Sequence, residues 1–594
     1  MTRIEDYAII GDCKTAALIC KDGSMDWLCL PYFDSAACFA ALIGSAENGQ
    51  WVISPSDKIK SSKRSYKEDT LILDTIFETE TGKVLLTDFM TINSDHSTIF
   101  RSIKGLDGKV KMKMEINPRF EYGDLIPLFL PRDDGVHIIK GPDLLYLRPE
   151  GVEVEVDDYK IISAFEIEKG KEVSFQLSYA SSHEDPPEIL DVNNSLEDTK
   201  TYWEDWLESC HLDDDSPHPG IIKRAVLVLK ALTCTHSGSI VAAVTTSLPE
   251  ELEGCRNWDY RFCWPRDASL AMRAVLNSTG QQEEIKAWRH WILRATAGIP
   301  AQMEVLYTLE GTQSIKELEI PWLSGYENSK PVRIGNKAHE QMQHDIFAYV
   351  IDVFYLADKM GFPPLEESWD LARSILIHLE SMWKEADEGI WEVRGPRRHF
   401  VHSKAMVWSA FDICIRAHEQ LGVKGPVEKW KEIRNIIHED ICRNGFNTEV
   451  NSFTQFYGSD RVDANLLHLP IIGFLPVDDP RIQSTIKKIE KDLLLEEGLM
   501  MRYIPDPDVE GLPETGRRAF LLCSAWLGEV YILQGRIKEA EAVFYKLTSL
   551  ANDVGLLSEQ YDINSGRQLG NFPQAFSHIA LLRLEIALCK GRKG

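Results

Sequence analysis

The sequence predicts a chain of β-then-α class: an antiparallel β-sandwich, a linker helix and a helical half. Three observations predict it. Up to about residue 190, apolar residues alternate with polar ones at period two. From about residue 217 the apolar spacing changes to three and four. Between these stretches, Tyr202, Trp203, Trp206 and Leu207 make an amphipathic pattern within Leu196–Leu212. A chain of 594 residues is too long for one ordinary core. The expected units are 1–192, 193–216 and 217–594.

In the first unit, Val110, Met112, Met114 and Ile116 alternate with Lys111, Lys113 and Glu115. Val152, Val154 and Val156 alternate with acidic residues, and Val173, Phe175, Leu177 and Tyr179 with polar ones. Period two puts one face in the core and one in water, as in antiparallel sheets. Turns are expected at Thr81-Gly82, Asp107-Gly108, Asp134-Gly135 and Lys169-Gly170.

In the helical half, Ile221, Ile222, Ala225, Val226, Leu229 and Leu232 form one stripe. Further helices are expected over 341–359, 367–383, 403–421, 517–534, 537–551 and 574–589. Units of about 30 residues would give roughly a dozen helices. Phe520 to Leu550, with Gly535-Arg536 as its turn, resembles a helical repeat, so an open solenoid is a competing architecture.

Composition narrows the function. The net charge is -27, from 92 acidic and 65 basic residues. Such a surface repels phosphate backbones and anionic membranes, so neither nucleic acid nor membrane is an expected partner. No CxxC pair, HExxH, Walker loop, GxSxG or strand-linked GxGxxG occurs, so no metal or cofactor is expected. The first residues lack a signal-peptide pattern, which predicts a cytoplasmic protein with free thiols.

The densest chemical signal is Asn257-Trp258-Asp259-Tyr260-Arg261-Phe262-Cys263-Trp264-Pro265-Arg266-Asp267. Buried packing segments rarely carry so many charges. Pro265 disfavours helix at Trp264, which places that ring on a loop ahead of a helix. Aromatic faces beside Arg266 and Asp267 suit a sugar, with its apolar C–H faces and its hydroxyls. Two acidic turns accompany it. Glu392 follows Trp391 and precedes Arg394, Arg397 and Arg398; Glu559 lies in Ser558-Glu559-Gln560-Tyr561. Glycosidic hydrolysis needs a carboxylic acid and a second carboxylate. Residue chemistry alone does not separate these two from other acids, since a helix-end carboxylate is commonly a solvated cap. His344 and His402 read as structural histidines.

Longer motifs carry a family resemblance. Ile4 to Asp12, Asp22 to Pro31, Asn257 to Asp267 and Gln568 to His578 occur in order along nearly the whole chain. Together they resemble glycoside hydrolase family 15, the glucoamylase-like family with a prokaryotic trehalase-like branch. The resemblance implies a β-sandwich, a linker helix and an (α/α)6 barrel. It also implies an inverting, exo-acting hydrolase of a small-molecule α-glucoside: trehalose or an α-1,4- or α-1,6-linked gluco-oligosaccharide. By motif position, Glu392 matches the general acid and Glu559 the general base. Tyr260, Trp264, Arg266 and Asp267 match groups holding the terminal glucose, Trp391 the aromatic beside the acid, and Arg502 a substrate-binding arginine. Val393 departs from the family's fungal members, which carry an acid at that position.

These matches set expectations. Burial beside Trp391 should raise the Glu392 carboxyl, and Arg394 and Arg397 would oppose that if close. The two carboxyl groups should stand roughly 6.5–9.5 Å apart. Trp264 should be the sugar platform and Arg266-Asp267 the hydroxyl clamp. Two alternatives remain at this stage: an inverting disaccharide phosphorylase on the same barrel, and a non-catalytic helical binding scaffold.

Overall fold

The computed structural model describes residues 2–92, 94–212, 216–278, 280–296, 303–496, 498–513 and 516–593. Its first part is antiparallel at every pairing among the described residues. One strand, Thr98–Ile116, belongs to two sheets. Its first half pairs with Gly82–Met90 and Glu172–Ser181. Its second half pairs with Trp51–Pro55 and Lys160–Glu168.

The switch occurs at Asp107-Gly108, where a turn was expected. Gly108 has φ +61°, and the register against Gly82–Met90 slips between Lys83 and Val84. A Cβ at Gly108 would lie 2.1 Å from the Thr81 carbonyl oxygen. The Asp-Gly pair is therefore a bulge that turns the strand from one sheet into the next, a known way of making a sandwich corner. The expected turns at Thr81-Gly82, Asp134-Gly135 and Lys169-Gly170 do join strands.

Two further expectations are corrected. Residues 152–154 are not strand, because extended pairing begins only at Glu155. In Glu172–Ser181, Ser174, Gln176 and Ser178 are as buried as Phe175 and Leu177. The supposedly wet face is covered: Gln176 Nε2 donates to the Glu188 carbonyl at 3.0 Å, and its Oε1 accepts from Leu190 N at 3.1 Å. The exit segment is thereby pinned across the sheet.

That segment leads into a helix, α1 (Val192–Glu208), capped by Asp191, whose carboxylate accepts from Asn194 N at 2.8 Å. Its buried stripe is Val192, Ser195, Thr199, Trp203 and Leu207. Residues 213–215 of the predicted linker lie outside the described residues.

The second part contains eleven helices of thirteen residues or more among the described residues. They are α2 (Pro219–Ala231), α3 (Pro265–Ser278), α4 (Gln282–Ala295) and α5 (Ile346–Lys359). Next come α6 (Glu366–Met382), α7 (Val401–Leu421), α8 (Val427–Asn444) and α9 (Pro480–Leu493). The last are α10 (Leu521–Leu533), α11 (Ile537–Ser549) and α12 (Ala575–Lys593). Helix α5 starts at Ile346 where a start at 341 was expected; Gln341 instead lines the pocket described below, and Gln343 accepts from Arg266 there.

Contacts close a ring: α3 on α5, α5 on α7, α7 on the short helical segment 464–471, that segment on α10, α10 on α12, and α12 back on α3. The remaining helices lie outside it, giving six inner and six outer segments, an (α/α)6 barrel. The sequence difference between the layers is physical. Inner α7 and α10 are buried nearly all round, whereas outer α9 buries only Ile482, Thr485, Ile486, Ile489 and Leu493. The repeat-like Phe520–Leu550 stretch is one inner–outer pair, α10 with α11. Return of α12 to α3 closes the structure, which an open solenoid does not do. Among the described residues no helix is long and apolar enough to cross a membrane.

Candidate active site

The aromatic-rich segment starts as a short strand, Asn257–Asp259, paired with Thr246–Pro249. Its side chains alternate. Trp258 and Tyr260 line a pocket at one end of the barrel. Asp259 and Arg261 point the other way, into the junction with the β half. There Arg261 pairs with Asp259 at 2.6 Å and donates to Tyr122 Oη at 2.8 Å and the Ser35 carbonyl at 2.7 Å. Arg261 is thus a buried strut that fixes the loop from behind. Pro265 opens α3, where a backbone N–H would be unpaired in any case. Arg266 and Asp267 occupy the first turn of α3.

All eight residues singled out from the sequence line this one pocket: Tyr260, Trp264, Arg266, Asp267, Trp391, Glu392, Arg502 and Glu559. Charged and aromatic side chains converge on it, as in sites that orient a polar small molecule.

Glu559 is 3% exposed, and its Oε1 accepts the Tyr260 hydroxyl at 2.8 Å. Burial, then the nearby Glu250 carboxylate, push its carboxyl up to about 8, against the opposing pull of Arg502 and Tyr260. Glu392 is held differently. Its Oε1 accepts from Trp264 Nε1 at 2.8 Å and from Arg266 Nη2 at 3.1 Å. Its backbone has φ +58°, a left-handed conformation that costs a non-glycine residue roughly 1–2 kcal/mol. Gln341 secures this turn, donating from Nε2 to the Glu392 and Val393 carbonyls at 3.2 and 3.1 Å.

The arginines expected to oppose protonation of Glu392 are engaged elsewhere. Arg394 pairs with Glu317 and lies over Trp258, and Arg397 pairs with Glu388 at 2.8 Å. Arg266 is the cation that reaches Glu392. Its Nε also donates to Asp267 at 3.1 Å and its Nη1 to Gln343 at 2.8 Å. Burial pushes the Asp267 carboxyl up to about 7, with Arg266 pulling against it.

The platform expectation for Trp264 changes. Its ring is 2% exposed and meets Tyr260 edge-on at 5.6 Å, so it offers no open shelf. Its visible contribution is the indole N–H on Glu392. Trp391 is more open. Its Nε1 donates to Asp463 at 2.9 Å, and Phe520 and Trp526 pack around it at 5.3 and 6.0 Å. Arg502 pairs with Glu250 and lies 5.0 Å above Phe520.

Glu250 and Asp463 were missed. Glu250 stands in the run Glu250-Glu251-Leu252-Glu253, which reads as solvated surface, yet it is 6% exposed. Trp258 was visible in the motif but had no assigned role. It is held by Glu250 Oε1, which accepts its N–H at 3.0 Å, and by the Arg394 and Arg333 guanidiniums at 4.1 and 4.6 Å from its ring.

Burial brings His344 and His402 down to about 3, so both rings are neutral; His402 Nε2 and His468 Nδ1 are 3.1 Å apart. Among the described residues no group of three or more His, Cys, Asp or Glu is arranged to hold a metal ion.

Known proteins resemble this chain throughout its length. Residues 218–585 match the model of glycosyl hydrolases family 15, and residues 1–203 match a trehalase-like N-terminal model. A trehalase of Thermoplasma volcanium is 32% identical over 99% of this chain and 94% of its own length. A trehalase of Mycobacterium tuberculosis is 31% identical over 99% of this chain and 90% of its own length. A bacterial glucoamylase solved with acarbose shares the fold at a TM-score of 0.73, with 14% identity, covering 99% of this chain and 94% of that one. The barrel, the pocket and these matches lead to one assignment: the chain belongs to glycosyl hydrolase family 15 and is a glycoside hydrolase.

Proposed function

We propose that this hydrolase is an inverting trehalase, with Glu392 as general acid and Glu559 as general base. One observation carries the reading. Two carboxylates face a single pocket, each held by a donor from the same Tyr260–Trp264 loop. The full-length similarity to trehalases, including the trehalase-like N-terminal match, favours trehalose over longer glucans.

In this reading the terminal glucose sits against Tyr260, Arg266 and Asp267. Glu392 gives a proton to the glycosidic oxygen as the C1–O bond breaks. Glu559 takes a proton from a water whose oxygen attacks C1 from the opposite face. Arg266 now spends one donor on Glu392, and sugar hydroxyls would compete for it. In this reading Glu559 stands where a phosphorylase would need a phosphate site.

A second reading exchanges the two roles. It is favoured by the Glu559 carboxyl, which burial and the Glu250 carboxylate push up to about 8.

Two measurements test these readings. α,α-Trehalose has two α-anomeric carbons. Inversion at one must yield equal initial amounts of α- and β-glucose, whereas retention yields only α. Early proton spectra showing no β-glucose would exclude inversion. α-Glucosyl fluoride, whose leaving group needs little protonation, sorts the roles. Glu392→Gln should keep fluoride hydrolysis while losing trehalose hydrolysis, and Glu559→Gln should lose both. The reverse pattern would establish the exchanged roles.

A further inference from the structure

Glu250 is a buried pocket carboxylate, engaged at both oxygens, that the proposed reaction does not use. It lies just after the strand Thr246–Pro249 and is 6% exposed. Its two oxygens have separate tasks. Oε1 accepts the Trp258 indole N–H at 3.0 Å, and Oε2 takes Arg502 Nη2. Trp258 is clamped further by Arg394 and Arg333, which Glu317 braces at 2.8 and 3.4 Å.

We propose that Glu250 is a positioning residue that ties the Trp258–Arg502 wall of the pocket to the proposed base, with its negative charge placed beside Glu559. The inference rests on the reading of Glu559 as base.

The electrostatic surroundings support it. Burial opposes charge on Glu250, yet Arg502 and Arg256 hold it below the usual carboxylate range. Arg256 in turn pairs with Glu510. Glu559 faces Glu250, Arg502 and Tyr260, and Tyr260 also feels Glu392. After burial, Glu250 is the largest influence raising Glu559, and Arg502 the largest lowering it. One side chain therefore governs both effects: it supplies the like charge, and it occupies the guanidinium that would otherwise be free to turn to Glu559.

The consequence is specific. A base must be ionised, so kcat/KM falls as pH drops through its pKa. Glu250→Gln keeps shape and one acceptor for Trp258 but removes the charge. The acid limb of kcat/KM for trehalose should move down by about one pH unit. Glu250→Asp keeps the charge but withdraws it by one methylene. Its limb should move down by only about 0.3 pH unit, while KM rises severalfold as Trp258 and Arg502 lose their brace.

A folded E250Q enzyme with the wild-type acid limb would overturn the proposal, whatever happened to kcat. E250D tests it independently should E250Q not fold: wild-type KM together with a wild-type limb would overturn it. Turnover of α-glucosyl fluoride by Glu559→Gln identifies failure of the base reading itself. An inactive E559Q with an unshifted E250Q limb would leave that reading standing and remove only the role of Glu250.

Discussion

The hydroxyl of Tyr260 donates to Glu559 Oε1 at 2.8 Å, joining the aromatic loop directly to a buried carboxylate. A donated hydrogen bond favours the ionised form and so opposes the rise that burial imposes. Tyr260→Phe should therefore move the acid limb of kcat/KM upward and lower kcat/KM about 10- to 100-fold at neutral pH, the scale of a hydrogen bond to a charged group. The pH–rate profile checks this. A smaller side-chain volume alone would lower the rate without moving the limb.

Gly570 has φ +80°, and a Cβ there would lie 2.8 Å from Glu559 Oε2 and 2.9 Å from Glu559 Cβ. Gly570→Ala is thus strained in its backbone and displaces the carboxylate. Stability should fall by about 1–2 kcal/mol, with kcat reduced more than KM is changed. Denaturant titration and steady-state kinetics on the same preparation measure both. Normal kcat would show that the Glu559 position does not matter to turnover.

Arg266 divides its guanidinium among Asp267, Gln343 and Glu392. Lysine presents a point charge and cannot match that fork. Arg266→Lys should lose at least about 100-fold in kcat/KM, although the net charge is kept. Trehalose kinetics and competition by glucose would show the loss. Near-normal kinetics would mean that charge alone suffices at this position.

Asp345 is buried with neither carboxylate oxygen hydrogen-bonded among the described residues, and burial pushes it up to about 6. Its folded pKa exceeds the roughly 3.9 of an unfolded aspartate. The stability linked to its protonation is fully present below about pH 4 and is lost as pH rises through about 6. Asparagine cannot ionise. Asp345→Asn should raise Tm relative to wild type at pH 8 and give no gain at pH 4. Thermal melts at both values decide it, and an equal Tm difference at the two pH values would refute the assignment.

Much of the architecture was legible because periodicity is local. Val110, Met112, Met114 and Ile116 are buried on one side of a strand, as their alternation required. The stripe from Ile222 to Leu229 is buried on α2. Asp107-Gly108 misled because the same dipeptide serves a turn or a bulge, and the choice depends on which strands lie alongside. The exposed face expected for Glu172–Ser181 failed for a similar reason: the covering segment comes later in the chain.

The eight residues named from the motifs meet in one pocket. Glu250 was not legible, because a glutamate in an acidic run reads as a solvated charge until the surrounding chain buries it. Asp463 was hidden likewise, since its partner Trp391 lies on a separate loop.

By itself the sequence determined the order of β and α elements, the loop that carries Tyr260 to Asp267, and the two acidic motifs. These follow from backbone period and from contiguous residue chemistry. Tertiary structure alone decided which helices form the inner ring, that Trp264 supports Glu392 with its N–H, and that Glu250 shares a pocket with Glu559. Burial and electrostatic potential are sums over neighbours brought from distant segments, so no local stretch of sequence contains them.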